Sequence, residues 1–262
     1  MKDLVSVIIP CYNSSDCLLQ SVESVLSQSY CFLEVIIVDD CSSDDSYDIA
    51  LSLSLSDKRV QVFRNSENLG PGPTRNFGLS VAKGRYIAFC DSDDFWFSFK
   101  LECQLPLFSD PSVAVVCSSY FLNKSSHQSL YVPPPIITYT RLLQGNCIGC
   151  STAVFKVTES FSPRFLSLRS RQDYAFWLQL LESTGIAVSV PIPLVSYTIR
   201  PGSVSSLSFS SFFNIFKVLL RQRKVPLLLI PFFFLSHYFR AFLKRFTLLT
   251  GMGATLFLKP RN

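Results

Sequence analysis

The apolar residues of this chain come first in short blocks. Residues 5–10 (VSVIIP) show no alternation, the pattern of a strand buried on both faces of a parallel sheet. Leu18, Val22, Val25 and Leu26 then follow the helical period and mark one buried stripe, with Ser15 and Asp16 placed to cap its start. Residues 34–38 (EVIIV) form a second buried strand that runs into Asp39, Asp40 and a Ser/Asp cluster, where Ser43 or Asp44 starts another helix. A strand at 60–63, a helix at 73–82 and a strand at 85–90 repeat the order and end at Asp91. This alternation predicts an α/β fold, a central mostly parallel sheet flanked by helices, with ligands gathering beyond the carboxyl ends of the strands.

Further along, the pattern loosens. A strand at 113–117 precedes a polar stretch whose Pro133, Pro134 and Pro135 predict irregular or extended chain. A helix at 138–144, a strand at 151–155, a helix at 172–181 and strand segments over 186–199, interrupted by Pro191 and Pro193, complete a domain expected to cover residues 1–205. Residues 206–262 form a helical, basic, Phe-rich appendage. Between Phe212 and Phe246, Phe and Leu mix with Lys and Arg and are broken by Pro226 and Pro231, which predicts two short amphipathic helices.

Composition changes this picture at the tail. Hydrophobic residues make up 48% of the 262-residue chain against 16% charged, yet no uninterrupted apolar run approaches the roughly twenty residues that a membrane-spanning helix needs. The net charge of +5 hides an asymmetry, because nine Lys or Arg and no Asp or Glu follow Phe212, leaving the earlier part net negative. Basic groups beside apolar faces suit an anionic membrane surface. A helical lid packed on the main domain is the other reading of the same stripe. Nucleic acid is not an expected partner, because the segment lacks polar base-reading residues and is too apolar to stay solvated.

The nine cysteines are odd in number and scattered between Cys11 and Cys150, which suits free thiols in a reducing compartment. Cys147 and Cys150 form a CxxC without a second ligand pair, and His127 and His237 each stand alone. The start, Met1 to Leu4, runs directly into the first strand without a charged leader and cleavage site, so the cytoplasm is the expected compartment.

Three strand ends carry the candidate chemistry. Pro10, Cys11, Tyr12 and Asn13 follow the first, Asp39 and Asp40 the second, and Asp91, Ser92, Asp93 and Asp94 the fourth. Carboxylates one residue apart at a strand end can share a hard divalent cation, Mn²⁺ or Mg²⁺, with phosphate oxygens. That suits loss of a nucleoside diphosphate. Taken alone, the same acids also fit a solvated turn. Asp40 can accept hydrogen bonds from a base or ribose, and Tyr12 offers a flat face for stacking. Arg200, before a Pro-Gly turn, can pair with a diphosphate or simply sit at the surface.

Together, VSVIIPCYN, SVLSQSY, LEVIIVDDCSSDDS, NLGPGPTRNFGL, AKGRYIAFCDSDDFW and RQDYAFWLQL, in that order, resemble family 2 glycosyltransferases of the GT-A fold, in the style of bacterial enzymes that build surface polysaccharides. The resemblance covers about residues 4–200. It implies that Pro10, Tyr12, Asn13 and Asp40 hold the base of a UDP-type donor. It places Asp91 near the ribose and Asp93 at a metal bridging the diphosphate, with Asp91 beside it in the metal site. Arg75 and Arg200 lie in segments near the donor. Gln172-Asp173-Tyr174 matches a pair of acids before an aromatic, whose second acid is the catalytic base, so Asp173 inherits that role. The implied reaction is an inverting, metal-dependent transfer of sugar from a nucleotide-sugar to a saccharide acceptor, lipid-linked on a polyprenyl diphosphate, at the inner face of the cell membrane.

Among rival readings, a nicotinamide enzyme fails because Gly70, Gly72 and Gly78 are not spaced GxGxxG and do not follow the first strand. A sugar-phosphate nucleotidyltransferase would place a Gly-rich loop where Pro10 to Asn13 stand. An inactive membrane-associated scaffold is the remaining alternative, opposed by the presence of Asp91, Asp93 and Asp173 together.

Overall fold

The computed structural model describes residues 3–124, 127–158, 163–168, 170–198 and 209–250. The first half is a run of β-then-α units: β1 (Val5–Cys11), α1 (Leu18–Leu26), β2 (Leu33–Asp39), α2 (Ser46–Ser56), β3 (Val60–Arg64), α3 (Pro71–Val81) and β4 (Tyr86–Phe89). β1 and β2 are buried at every position, which is why apolar residues dominate both and why the buried Ser6 and Glu34 are hydrogen-bonded to each other. The second half contains β5 (Phe95–Trp96), α4 (Lys100–Gln104), β6 (Val113–Lys124), β7 (His127–Tyr131), β8 (Ile136–Ile137), α5 (Tyr139–Leu143), β9 (Val154–Lys156), α6 (Gln172–Thr184) and β10 (Ile186–Thr198). Helices α7 (Phe209–Leu220) and α8 (Ile230–Thr250) follow.

One sheet joins all the strands in the order β3-β2-β1-β4-β9-β6-β10-β5, with β7 on β6 and β8 on β10. β3, β2, β1 and β4 run parallel. β9 is antiparallel to both β4 and β6, while β10 runs parallel to β6. The expected mostly parallel sheet is thus purely parallel only in its first half. Two cores sit on its two faces. One gathers α1, α2 and α4 against Val5, Val7 and Ile9. The other gathers α3, α5 and α6 against Ile8, Ile36 and Phe89.

Several local expectations shift. Neither Ser15 nor Asp16 caps α1, whose first turn has no side-chain cap; Ser14 instead accepts the backbone N–H groups of Cys17 and Leu18 through its carbonyl, at 3.0 and 2.9 Å. Asp44 precedes α2 and accepts from the Ser46 amide at 3.1 Å and from Ser15 N at 3.0 Å, so one carboxylate fastens both helix starts. α3 begins at Pro71, two residues earlier than its apolar pattern suggests, because proline fits a first turn that has no use for its missing N–H. The segment expected as a strand from Ser151 opens instead as a 3-10 turn over Cys150–Thr152. β10 passes through both its prolines as one strand with irregular register near them, rather than breaking.

The tail is two-faced. Ile215, Val218, Leu219, Val225, Ile230 and Phe233 are buried in the same core as α6. Leu227, Leu228, Phe232, Leu235, Phe239 and Phe242 point away from it and are exposed. Among the described residues, no helix is long and apolar enough to cross a membrane.

Candidate active site

The ends of β1 and β2 are tied together before any side chain is considered, since Asp40 N donates to Cys11 O at 2.8 Å. Asn13 adopts a left-handed conformation (φ 47°), which asparagine tolerates better than most residues. Its Oδ1 accepts from Ser43 N at 2.9 Å, and its own amide donates to Ser42 Oγ at 3.0 Å. That turn leaves Tyr12, just after Pro10 and Cys11, 49% exposed at the strand end.

Asp40 is buried, and its carboxylate accepts from Asn65 Nδ2 (2.7 Å), Leu69 N (2.9 Å) and Gly70 N (2.7 Å). It therefore fixes the loop entering α3, where Gly70 has φ 84°, a conformation that favours glycine. A carboxylate has about four acceptor positions, so most of this one is committed within the protein. Its neighbour Asp39 is fully buried and pairs with Arg64 Nε at 3.1 Å.

α3 also carries Arg75, buried to 6% exposure, whose guanidinium forms an ion pair with Asp91 and lies 5.4 Å from the centre of the Phe165 ring. Burial disfavours its charge, but the carboxylate of Asp91 more than offsets this and holds the guanidinium firmly protonated. The turn after β4 divides its acids into different settings. Asp91 faces Arg75, and its amide donates to Ser151 Oγ at 3.0 Å. Asp94 is buried, accepting from Ser151 Oγ and, at 3.4 Å, from Thr198 N. Burial, with Asp91 and Asp93 close by, pushes the Asp94 carboxyl well above the usual range. Asp93 stays half-buried and lines a cleft of about 310 Å³ together with Gln20, Phe95, Asn123 and Ser196.

Asp173 is the second residue of α6, after Arg171 in a left-handed conformation (φ 65°). Asn146 Nδ2 donates to Asp173 Oδ2 at 2.9 Å, and Asn146 Oδ1 accepts from Ile148 N at 3.2 Å, so the side chain that holds the acid is itself tied to its own loop. The starts of α3 and α6 abut at Gly72: a Cβ there would lie 2.3 Å from Gln172 Oε1 and 2.9 Å from Leu166 O. Gln172, where the family pattern has an acid, thus fills a buried contact with α3.

These groups converge. The charge of Asp173, like that of Asp91, acts on Arg75. The Cys150 thiol, pushed well up by burial, feels Arg75, Asp91, Asp173 and Asp94 together. The structure therefore brings Pro10, Tyr12, Asn13, Asp40, Arg75, Asp91, Asp93 and Asp173 to one end of the sheet, while Arg200 lies outside the described residues. No group of three or more His, Cys, Asp or Glu forms a ready metal cage among the described residues. Ser151, which bridges Asp91 and Asp94, and Asn146, which holds Asp173, both lie in the stretch from Gly145 to Thr152, which by sequence resembles the family segment lining the acceptor and donor sugar and also fits a tight turn before a strand; that resemblance gave neither side chain its individual role.

Comparison with known proteins identifies the family and the fold. The family profile described as glycosyl transferase family 2 matches residues 6–153. The chain is 36% identical over 224 residues, 85% of each protein, to the Escherichia coli UDP-Glc:alpha-D-GlcNAc-diphosphoundecaprenol beta-1,3-glucosyltransferase WfaP. It is 38% identical over 208 residues, 78% of this chain and 82% of the relative, to the putative teichuronic acid biosynthesis glycosyltransferase TuaG of Bacillus subtilis. The S. aureus TarS 1-349 structure in complex with UDP-GlcNAc superposes with a TM-score of 0.68 at 22% identity, covering 82% of this chain and 64% of that one. The mannosyltransferase PcManGT of Pyrobaculum calidifontis, in complex with GDP-Man and Mn2+, gives 0.68 at 17% identity over 88% of this chain and 68% of that one. These structures share the GT-A fold with this chain, which belongs to glycosyl transferase family 2 and is a glycosyltransferase.

Proposed function

We propose that the enzyme transfers a sugar from a UDP-sugar to a saccharide carried on a polyprenyl diphosphate, inverting the anomeric centre, at the inner face of the cell membrane. The observation that carries this reading is Asp173, held by Asn146 and near enough to the Arg75–Asp91 pair for its charge to act on Arg75. The activities that name WfaP and a second E. coli relative, WfgD, both UDP-Glc:alpha-D-GlcNAc-diphosphoundecaprenol beta-1,3-glucosyltransferases, support the choice of donor and acceptor.

In this reading Tyr12 stacks on the base, Pro10 and Asn13 shape its seat, and Asp40 holds the donor-side loop while its remaining acceptor position meets base or ribose. Arg75 keeps Asp91 oriented toward the ribose, and Arg200 meets the diphosphate. Asp93 and Asp91 offer hard oxygen ligands, a donor set that fits Mn²⁺ or Mg²⁺ alongside phosphate oxygens. Such an ion supplies positive charge for the departing diphosphate. Asp173 takes the proton of the acceptor hydroxyl as its oxygen bonds to the anomeric carbon from the face opposite the diphosphate. The bond from that carbon to the diphosphate breaks, and UDP leaves with the electron pair. The exposed face of α7 and α8, with Lys217, Arg221, Arg223 and Lys224 exposed around it, rests on anionic lipid.

The test is turnover of the full chain with Mn²⁺, a panel of UDP-sugars and polyprenyl-diphosphate-linked saccharides. Asp173→Asn should lower kcat about thousandfold while UDP affinity stays unchanged. Equal rates in wild type and variant would overturn the assignment of the base. No transfer and no UDP binding would favour the inactive scaffold.

A further inference from the structure

We propose that the junction of α5, α6 and α8 is an anion subsite that receives the diphosphate of the lipid-linked acceptor; this rests on the acceptor class proposed above. Four nitrogen-bearing side chains meet there: Arg141 of α5, Arg171 just before α6, and His237 and Arg240 of α8. The ion pairs of the described residues are Arg59–Asp57, Arg64–Asp39, Arg75–Asp91 and Arg85–Asp3, and none involves this group. Arg141 Nη1, Arg171 Nε and His237 Nδ1 are buried without a hydrogen-bond partner among the described residues, and His237 as a whole is only 3% exposed.

Arg240 faces Arg141 rather than an acid, and the neutral imidazole of His237 lies beside Arg171. Burial and then the charge of Arg141 make protonation of Arg240 harder, and burial and then the charge of Arg171 do the same to His237. Like charges set side by side in partial burial cost stability unless an anion joins them. A diphosphate would relieve that cost, since guanidinium groups bind phosphate oxygens through paired N–H donors.

Position supplies the remaining argument. Arg240 Nη2 donates to Gln144 Oε1 at 2.6 Å, and its Cβ would lie 3.4 Å from a Cβ on Gly145. The next residue, Asn146, holds Asp173. The His237 ring lies 5.0 Å from that of Tyr174, the neighbour of Asp173 in α6. On the other side, Phe239 and Phe242 of α8 are exposed and apolar. A prenyl chain along that face, a diphosphate at the arginines and a sugar at Asp173 would follow one path.

The experiment compares two acceptors bearing the same saccharide, one on a prenyl diphosphate and one on an uncharged alkyl chain, with wild type and the double variant Arg141→Gln, Arg240→Gln. The ratio of kcat/KM for the diphosphate acceptor over the alkyl acceptor should fall about tenfold or more in the variant, with Arg240→Lys recovering part of it. An equal fall for both acceptors, or no fall, would overturn the subsite. If wild type uses neither acceptor, the proposed function fails, and the subsite is decided by calorimetry with farnesyl diphosphate on the full chain. Binding that persists under saturating UDP and weakens about tenfold in the double variant would uphold it. Absence of binding, displacement by UDP, or equal affinity in the variant would refute it.

Discussion

The parallel half of the sheet and the α7–α8 hairpin satisfy their polar groups in opposite ways. At the ends of β1, β2 and β4 acids meet donors: Asp40 takes three protein hydrogen bonds, Asp91 pairs with Arg75, and Asp94 is closed over by Ser151 and Thr198. On the hairpin the balance runs the other way, with exposed Phe and Leu and with cations that face no acid among the described residues. The first region is preorganised by the chain itself. The second is finished on its inner face only, and its outer face has the composition of a surface that meets something else.

The largest effect that sharpens this contrast lies within α8. Phe233→Ala on the inner face should destabilise by about 3–5 kcal/mol, because it opens a cavity in the shared core. Phe232→Asp, one residue away and 58% exposed, should leave the thermal midpoint nearly unchanged but abolish sedimentation with anionic vesicles. Equal loss of stability in both variants would erase the distinction between the faces. A smaller effect belongs to the strand ends. Asp40→Ala should cost about 2–3 kcal/mol in urea unfolding and raise the KM for the donor, because Leu69 N and Gly70 N lose their acceptor. Unchanged stability would mean the loop is held otherwise.

The smallest effect is a pH dependence. Burial, aided by Arg171, lowers the pKa of His237 to about 3, against roughly 6.5 when unfolded. The unfolded chain then binds a proton that the folded chain refuses, so stability is untouched above the unfolded value and declines as pH falls from about 6.5 toward 3. At pH 5 the expected loss relative to His237→Phe is about 2 kcal/mol, read from thermal midpoints of the two proteins across that range. Parallel acid limbs for the two proteins would show that the imidazole is solvated.

Much of the architecture was legible because burial on both faces leaves a simple trace. The apolar blocks of β1 and β2, the helical stripe of α1 and the acids after each strand needed no partner to be read. The turns were less legible. Asp44 rather than Ser15 or Asp16 secures the start of α1, and Asp44 reaches it from another strand end, a contact no local pattern reveals. The antiparallel entry of β9 between β4 and β6 was likewise hidden, since a short buried strand looks the same in either direction.

What the sequence determined by itself is the order of elements, the clustering of acids at strand ends and the basic, acid-free tail, because each depends on residue type and spacing along the chain. Only the tertiary structure decided which acid is committed to what. Asp91, Asp93 and Asp94 are neighbours in one turn, yet one is paired with Arg75, one is half-buried beside a cleft and one is sealed beneath Ser151. It likewise decided that α8 supports the loop carrying Asn146, nearly a hundred residues away in sequence. Charge and burial at a site are set by what the fold brings alongside, and that information lies in no single stretch of the chain.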